Sequence, residues 1–343
     1  THPPAMAHAP SSSSASSNVP WVEKYRPKNL DEVAAHKDIV DTIKRLARES
    51  KLPHLLLYGP PGTGKTSTVL ALAQSMYGKH VKAMTLSLNA SDDRGIDVVR
   101  RQIQDFASTR RLGSDDGPAF SLIILDECDA MTREAQMALR RVIEKYAKRT
   151  RFALICNQVS RLIPAIQSRC TRFRFAPLPV DCALARVKEV AAAENVELTD
   201  GGASALVKLS QGDMRRVLNT LQSAHLAHAK VDEEAVYATT GAPRPVDTER
   251  AMKSLLNASV SEAVKDIRHL QEARGISLLD LVRELLPYTM RIQGVPSGAR
   301  ARCLANLADT EHRISLGCAE KTQIGGVVAA FVELRDELVA VAQ

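Results

Sequence analysis

The sequence predicts an α/β domain built on a parallel sheet, followed by two all-helical domains. Short apolar runs alternate with helical patterns from Val19 to about Pro177, the signature of a parallel sheet with helices on both faces. One of those runs ends in a glycine-rich phosphate loop at Gly59–Thr66. Beyond Pro177 and Pro179 only helical periodicity remains. At 343 residues the chain also exceeds what one compact core accommodates. The expected division is a tail over 1–18, an α/β nucleotide-binding domain over 19–177, a small helical domain over 178–241 and a second helical domain over 242–343.

Thr1–Asn18 is rich in Ser, Pro, Ala and His without periodicity, so it is expected to be disordered. Strands are expected at Leu55–Tyr58, Met84–Leu88, Leu122–Leu125, Phe152–Cys156 and Thr171–Phe175. Helices are expected between most of them, at Ile39–Glu49, Ser67–Met76, Ile96–Ala107 and Arg133–Tyr146. Nucleotides bind such sheets at the carboxyl ends of the strands, and the loop after Tyr58 sits at such an end. Asp181–Glu194, Gly202–Ser210, Asp213–Ala229 and Glu233–Ala238 suit a small helical domain. Gly241-Ala242-Pro243-Arg244-Pro245 then punctuates the chain, and the helices beyond it are expected to break near Gly275, Pro296 and Gly325–Gly326. Val327–Val341 is apolar on more than one face. Such a helix packs either into a helical assembly or within its own bundle.

Composition sets outer bounds. Hydrophobic residues at 45% and charged residues at 25% describe an ordinary globular protein, and aromatics at 4% suit helical packing by Leu, Val and Ala. A net charge of +7 permits a nucleic-acid partner without requiring one. None of the six cysteines forms a C-x-x-C pair or has a His at zinc spacing, so buried thiols in a reducing intracellular compartment are expected and no structural metal. No apolar run is long enough to cross a bilayer, and no secretory leader is expected.

The chemistry begins at the loop. An apolar run, Leu55–Tyr58, enters Gly59-Pro60-Pro61-Gly62-Thr63-Gly64-Lys65-Thr66, and a helical pattern starts at Ser67. The glycines let backbone N–H groups approach phosphate oxygens, and the following helix aims its positive dipole end at the same anion. Lys65 is placed to reach the β- and γ-phosphates and Thr66 to hold Mg²⁺, so a nucleoside triphosphate is expected. Leu122-Ile123-Ile124-Leu125 ends in Asp126-Glu127. Downstream of a phosphate loop, Asp126 supports the same Mg²⁺ and Glu127 polarises the attacking water.

Three further positions stay open on residue chemistry alone. Asn157 directly follows a strand, where its amide either caps a turn or hydrogen-bonds a γ-phosphate. Arg169, in Ser168-Arg169-Cys170, is either a solvated charge or an arginine finger for a neighbour's site. In Gly212-Asp213-Met214-Arg215, Asp213 is a good N-cap, whereas Arg215 lies in a first turn that disfavours a cation. A γ-phosphate accounts for Arg215, and a plain surface arginine is the alternative. Asn89–Ile96 opens a helix bearing Arg100, Arg101 and Gln104. With Arg94, this stretch is either a phosphate-tracking surface or a solvated helical face.

Taken together, these motifs resemble the Walker A, Walker B, sensor 1, arginine-finger and sensor 2 elements of AAA+ clamp-loader subunits. Asp126-Glu127-Cys128-Asp129 matches the Walker B tetrad, and Trp21-Val22-Glu23-Lys24-Tyr25-Arg26-Pro27 resembles the family's entry segment. Ala130 through Glu144 and Cys170 through Phe175 are most similar to the small subunits of eukaryotic replication factor C. The resemblance implies a nuclear heteropentamer that binds ATP with Mg²⁺, opens a ring-shaped sliding clamp and closes it around primer–template DNA. It implies that Val22, Tyr25, Arg26 and Pro27 fold against the adenine, with Gly59–Ser67, Asn157, Met214 and Arg215 completing the nucleotide site. It implies that Arg169 acts in trans, that 178–241 is a lid and that 242–343 is a collar. Arg94, Arg100 and Arg101 would face DNA, and Phe106 through Leu112 would face the clamp. Two departures stand out. Cys128 replaces a usual Ala, and Arg111–Pro118 is polar and glycine-rich rather than apolar, which argues against strong clamp contact. The alternatives are an ATP-holding scaffold subunit, and a branch-migration motor, which usually adds a winged DNA-binding domain.

Overall fold

The computed structural model describes residues 19–33, 36–91, 96–108 and 120–342, with backbone alone at 96–100 and 340–342. The chain divides into two compact units between Ser223 and Ala224. The expected tail, Arg94, Arg111–Pro118 and Leu112 lie outside the described residues.

The first unit runs α1 (Trp21–Lys24), α2 (Lys37–Arg48), β1 (Leu55–Tyr58), α3 (Lys65–Tyr77), α4 (Val81–Met84), β2 (Thr85–Asn89), α5 (Ile96–Ser108), β3 (Ser121–Asp126), α6 (Arg133–Tyr146) and β4 (Thr150–Cys156). It continues through α7 (Pro164–Gln167), β5 (Thr171–Arg174), α8 (Val180–Ala193) and α9 (Asp200–Ser210), and α10 (Met214–Ala227) crosses the division. The five strands form one sheet in the order β2-β3-β4-β1-β5. Every pair is parallel, with Leu55 opposite both Ala153 and Thr171, and Leu122 opposite Thr85.

Continuous apolar runs, rather than alternating ones, suit this sheet because both faces are covered. Along β1 and its neighbours the residues sort by parity. Leu55, Leu57, Ile124 and Ile155 pack with Val40 and Ile43 of α2 and Leu72 of α3. Leu56, Ile123, Leu125 and Leu154 pack with Leu139 and Ile143 of α6. This second layer also takes Phe106 of α5, which is only 8% exposed. Its ring anchors α5 to the sheet, so the residue expected to face a clamp is itself a core residue. Met84 closes α4 instead of opening β2. Beyond the end of β5, Phe175 still donates its N–H to the Tyr58 carbonyl at 2.8 Å.

The second unit carries α11 (Glu233–Thr240), α12 (Pro245–Asn257), α13 (Val260–Arg274), α14 (Leu278–Arg291), α15 (Ser297–Ser315) and α16 (Glu320–Ala342). Ser259 and Glu262 form a capping box on α13, Gly275 ends that helix at φ 66°, and Pro296 precedes α15. The expected break at Gly325–Gly326 does not occur: α16 runs straight through both. Gly326 faces α15, and a Cβ there would lie 3.3 Å from Thr310 Oγ1, so the missing side chain permits close helix packing. Much of the apolar surface of α16 is covered within this unit, while Val339 near its end is exposed. Val327 and Phe331 are fully buried beside Leu285 of α14 and Leu307 of α15. No helix among the described residues is long and apolar enough to cross a membrane.

Candidate active site

The site is built at the carboxyl end of β1. Gly59 leaves the strand at φ 144°, and any Cβ there would fall 1.9 Å from the Phe175 carbonyl oxygen. Gly62 has φ 68°, and its Cβ would fall 1.7 Å from Asp213 Oδ1. Both positions therefore require glycine, the first because of the sheet and the second because of the segment opening α10. Gly64, at φ 92°, turns the chain into α3, and no side chain caps that helix. Its first-turn N–H groups are left for a ligand, which is the helix-terminus arrangement that takes phosphate.

Lys65 is 6% exposed. Its ammonium donates to the carbonyls of Gly59 at 2.8 Å and Pro60 at 2.7 Å, and to Asn157 Oδ1 at 3.1 Å. Burial pushes its pKa down, Asp126 pulls it back up, and the positive charge of Arg215 adds to the depression. Thr66 Oγ1 donates to Asp126 Oδ2 at 2.7 Å, and the Glu127 N–H donates to Asp126 Oδ1 at 2.9 Å. Glu127 is exposed and held at φ 55°, a left-handed conformation that costs about 1–3 kcal/mol outside glycine. Glu127 is among the residues lining the cleft.

Asp129 closes the tetrad and braces it. Its Oδ2 accepts the N–H groups of Asn157 at 3.2 Å and Gln158 at 3.1 Å, tying the turn after β3 to the end of β4. Cys128 is fully buried and donates its thiol to the Leu125 carbonyl at 3.1 Å; burial pushes that thiol well above its usual range. The substitution for Ala therefore fills the layer under α6 without entering the cleft.

Val22, Tyr25, Arg26 and Pro27 also line this cleft. Tyr25 donates its hydroxyl to Glu194 Oε1 at 2.5 Å, Lys24 Nζ reaches the same oxygen at 2.6 Å, and Arg186 Nη2 donates to the Tyr25 carbonyl at 3.0 Å. Burial, reinforced by Glu194, pushes the Tyr25 phenol up to about 12. Met214 and Arg215 line the cleft as well, with Asp213 Oδ1 accepting the Arg215 N–H at 2.9 Å. Sequence reasoning missed Val33, Leu178, Cys182, Ala183 and Arg186, which also line the cleft. The helical spacing of Cys182, Ala183 and Arg186 was a readable signal for a shared face.

Other expected residues fall elsewhere. Arg169 is not in the cleft. It precedes β5, whose Thr171 pairs with Leu55 at the start of β1, the end of the sheet remote from the phosphate loop. Its guanidinium ion-pairs with Glu144 and donates to the Ala165 carbonyl at 2.5 Å. Arg101 is exposed on α5, while the side chain of Arg100 lies outside the described residues.

The donor set fits Mg²⁺ and a triphosphate. The Thr66 hydroxyl and Asp126 carboxylate are adjacent hard oxygens, the type Mg²⁺ prefers alongside phosphate and water. Among the described residues there is no cluster of three or more His, Cys, Asp or Glu able to hold a metal by protein ligands alone.

Comparison with known proteins agrees with this geometry. Residues 55–178 match the ATPase family associated with various cellular activities (AAA), and residues 243–330 match the replication factor C C-terminal domain. The chain is 54% identical to replication factor C subunit 3 of Oryza sativa subsp. japonica, over 94% of this chain and 89% of that one. It is 49% identical to human replication factor C subunit 5, over 94% of each, and 47% identical to the Saccharomyces cerevisiae subunit 3, over 92% of this chain and 93% of that one. A Thermotoga maritima RuvB mutant superposes with a TM-score of 0.53 over 90% of each chain at 18% identity, a likeness of fold alone.

Proposed function

The chain belongs to the replication factor C subunit family, and from that membership we propose that it is an ATP-hydrolysing subunit of a nuclear heteropentameric clamp loader. In this reading the assembly opens a sliding clamp and closes it around primer–template DNA in replication and repair. The observation that carries the ATPase role is convergence: Lys65, Thr66, Asp126, Glu127, Asn157 and Arg215, drawn from separate parts of the chain, line one cleft. A subunit that merely held ATP would have no use for Glu127 in a strained conformation beside the Thr66–Asp126 pair.

Each residue then has a task. The glycine loop, the uncapped start of α3 and Lys65 hold the phosphates, and Val22, Tyr25, Arg26 and Pro27 hold the base. Mg²⁺, held through Thr66 and Asp126, would neutralise phosphate oxygens. Glu127 orients the attacking water and draws off its developing positive charge. Asn157 and Arg215 read the γ-phosphate. Arg169, remote from its own cleft, serves an adjacent subunit's nucleotide. The segments 178–241 and 242–343 act as lid and collar, and Arg94, Arg100 and Arg101 face DNA.

The test uses the assembly co-purified through this chain. Glu127→Gln should leave ATP affinity within about threefold and remove this site's share of turnover. Unchanged hydrolysis at this site, or a homohexamer in place of a clamp-binding pentamer, would overturn the reading.

A further inference from the structure

We propose that Glu144 is a positioning residue that holds the Arg169 guanidinium ready for an adjacent subunit's nucleotide; this rests on the reading of Arg169 as acting in trans. Arg169 is tied at both ends of its guanidinium. One nitrogen donates to the Ala165 carbonyl of α7 at 2.5 Å, and the other is ion-paired with Glu144 on α6. The same carboxylate oxygen accepts Arg140 Nε at 3.1 Å. Arginine loses substantial rotamer entropy when ordered, so a guanidinium already fixed by two partners reaches a partner's phosphate with less left to lose.

The charge count supports this role. One carboxylate shared by Arg140 and Arg169 leaves the trio net positive, so the pairing orients Arg169 without cancelling the charge it delivers. The two arginines, Arg140 first, hold the Glu144 carboxyl below its usual range, keeping it ionised at neutral pH. The support beneath is anchored by a buried side chain. Gln136, 1% exposed at the other end of α6, accepts the Ile163 N–H at 2.8 Å and donates to the Arg161 carbonyl at 3.1 Å. The helix bearing Glu144 is therefore fastened to the segment that leads into α7. The trio is itself solvent-facing, with the Glu144 side chain 41% and the Arg169 side chain 32% exposed, as access by a neighbour demands. Exposed ion pairs contribute little to stability, so their presence here has a geometric rather than a stabilising consequence.

The experiment is a double-mutant cycle on DNA-stimulated ATP hydrolysis by the co-purified assembly. Arg169→Ala lowers kcat. Glu144→Gln lowers kcat by about 3- to 30-fold, leaving KM for ATP and the thermal midpoint unchanged. The double variant is no slower than Arg169→Ala alone. The inference is overturned if Glu144→Gln leaves kcat intact while Arg169→Ala lowers it, or if the two losses multiply in the double variant. No loss with Arg169→Ala would instead sink the trans reading, and this inference with it.

Discussion

His54 stands at the start of β1, where its Nδ1 accepts the Phe152 N–H of β4 at 3.2 Å and its carbonyl accepts the Thr171 N–H of β5 at 2.7 Å. The imidazole must be neutral to accept that bond. Burial first, and Arg151 second, push its pKa down to about 4 from the usual 6.5. The folded value lies below the unfolded one, so the unfolded chain binds the proton more readily between these limits. Stability from this group is complete above pH 6.5 and is lost as pH falls toward 4, with a slope no steeper than about 1.4 kcal/mol per pH unit. Replacing His54 by Gln, which does not titrate, should flatten that part of a plot of urea midpoint against pH. A plot of unchanged steepness would place the titration elsewhere. Lys65 shows the same physics put to another use. A cation that is 6% exposed persists because two carbonyls and an amide surround it.

Among the elements, α16 shows what two adjacent glycines do in a helix that continues through them. Gly325 is exposed, with nothing within 4 Å of a built Cβ, whereas Gly326 abuts Thr310 of α15. Gly325→Ala should therefore stabilise the chain by about 0.5–1 kcal/mol through helix propensity. Gly326→Leu should destabilise it by about 1–3 kcal/mol through overpacking. Urea unfolding followed by circular dichroism measures both, and equal effects at the two positions would contradict the packing argument. Buried α6 contacts carry a comparable lesson. A glutamine in an otherwise apolar stripe looks misplaced until its side-chain amide is seen bonding the backbone at Met131, Arg161 and Ile163.

For the whole molecule, the cleft holds its own Lys65, Asp126, Glu127, Asn157 and Arg215, while Arg169 lies outside it. On the proposed reading the isolated chain binds ATP yet turns it over at least about 100-fold more slowly than the co-purified assembly, since an arginine supplied in trans is worth that much or more in related phosphoryl transfers. Comparing single-turnover rates for the isolated chain and the assembly checks this. Equal rates would show that the cleft is complete without a neighbour.

The sequence by itself determined the strands, most helices and the phosphate loop. These depend on local periodicity and on glycine conformations that no other residue adopts well, as at Gly59 and Gly62. It also marked Asp126, Glu127, Asn157 and Arg215, because each follows a strand or opens a helix at a recognisable place. Tertiary structure alone decided which faces meet. It turned Phe106 inward, carried α16 past Gly325–Gly326, brought Cys182 and Arg186 of α8 into the cleft lining, and joined Glu144 to Arg169. Those outcomes rest on contacts between residues far apart in the chain. Local spacing records the direction a side chain leaves its own helix or strand, but not which distant residue it will meet there.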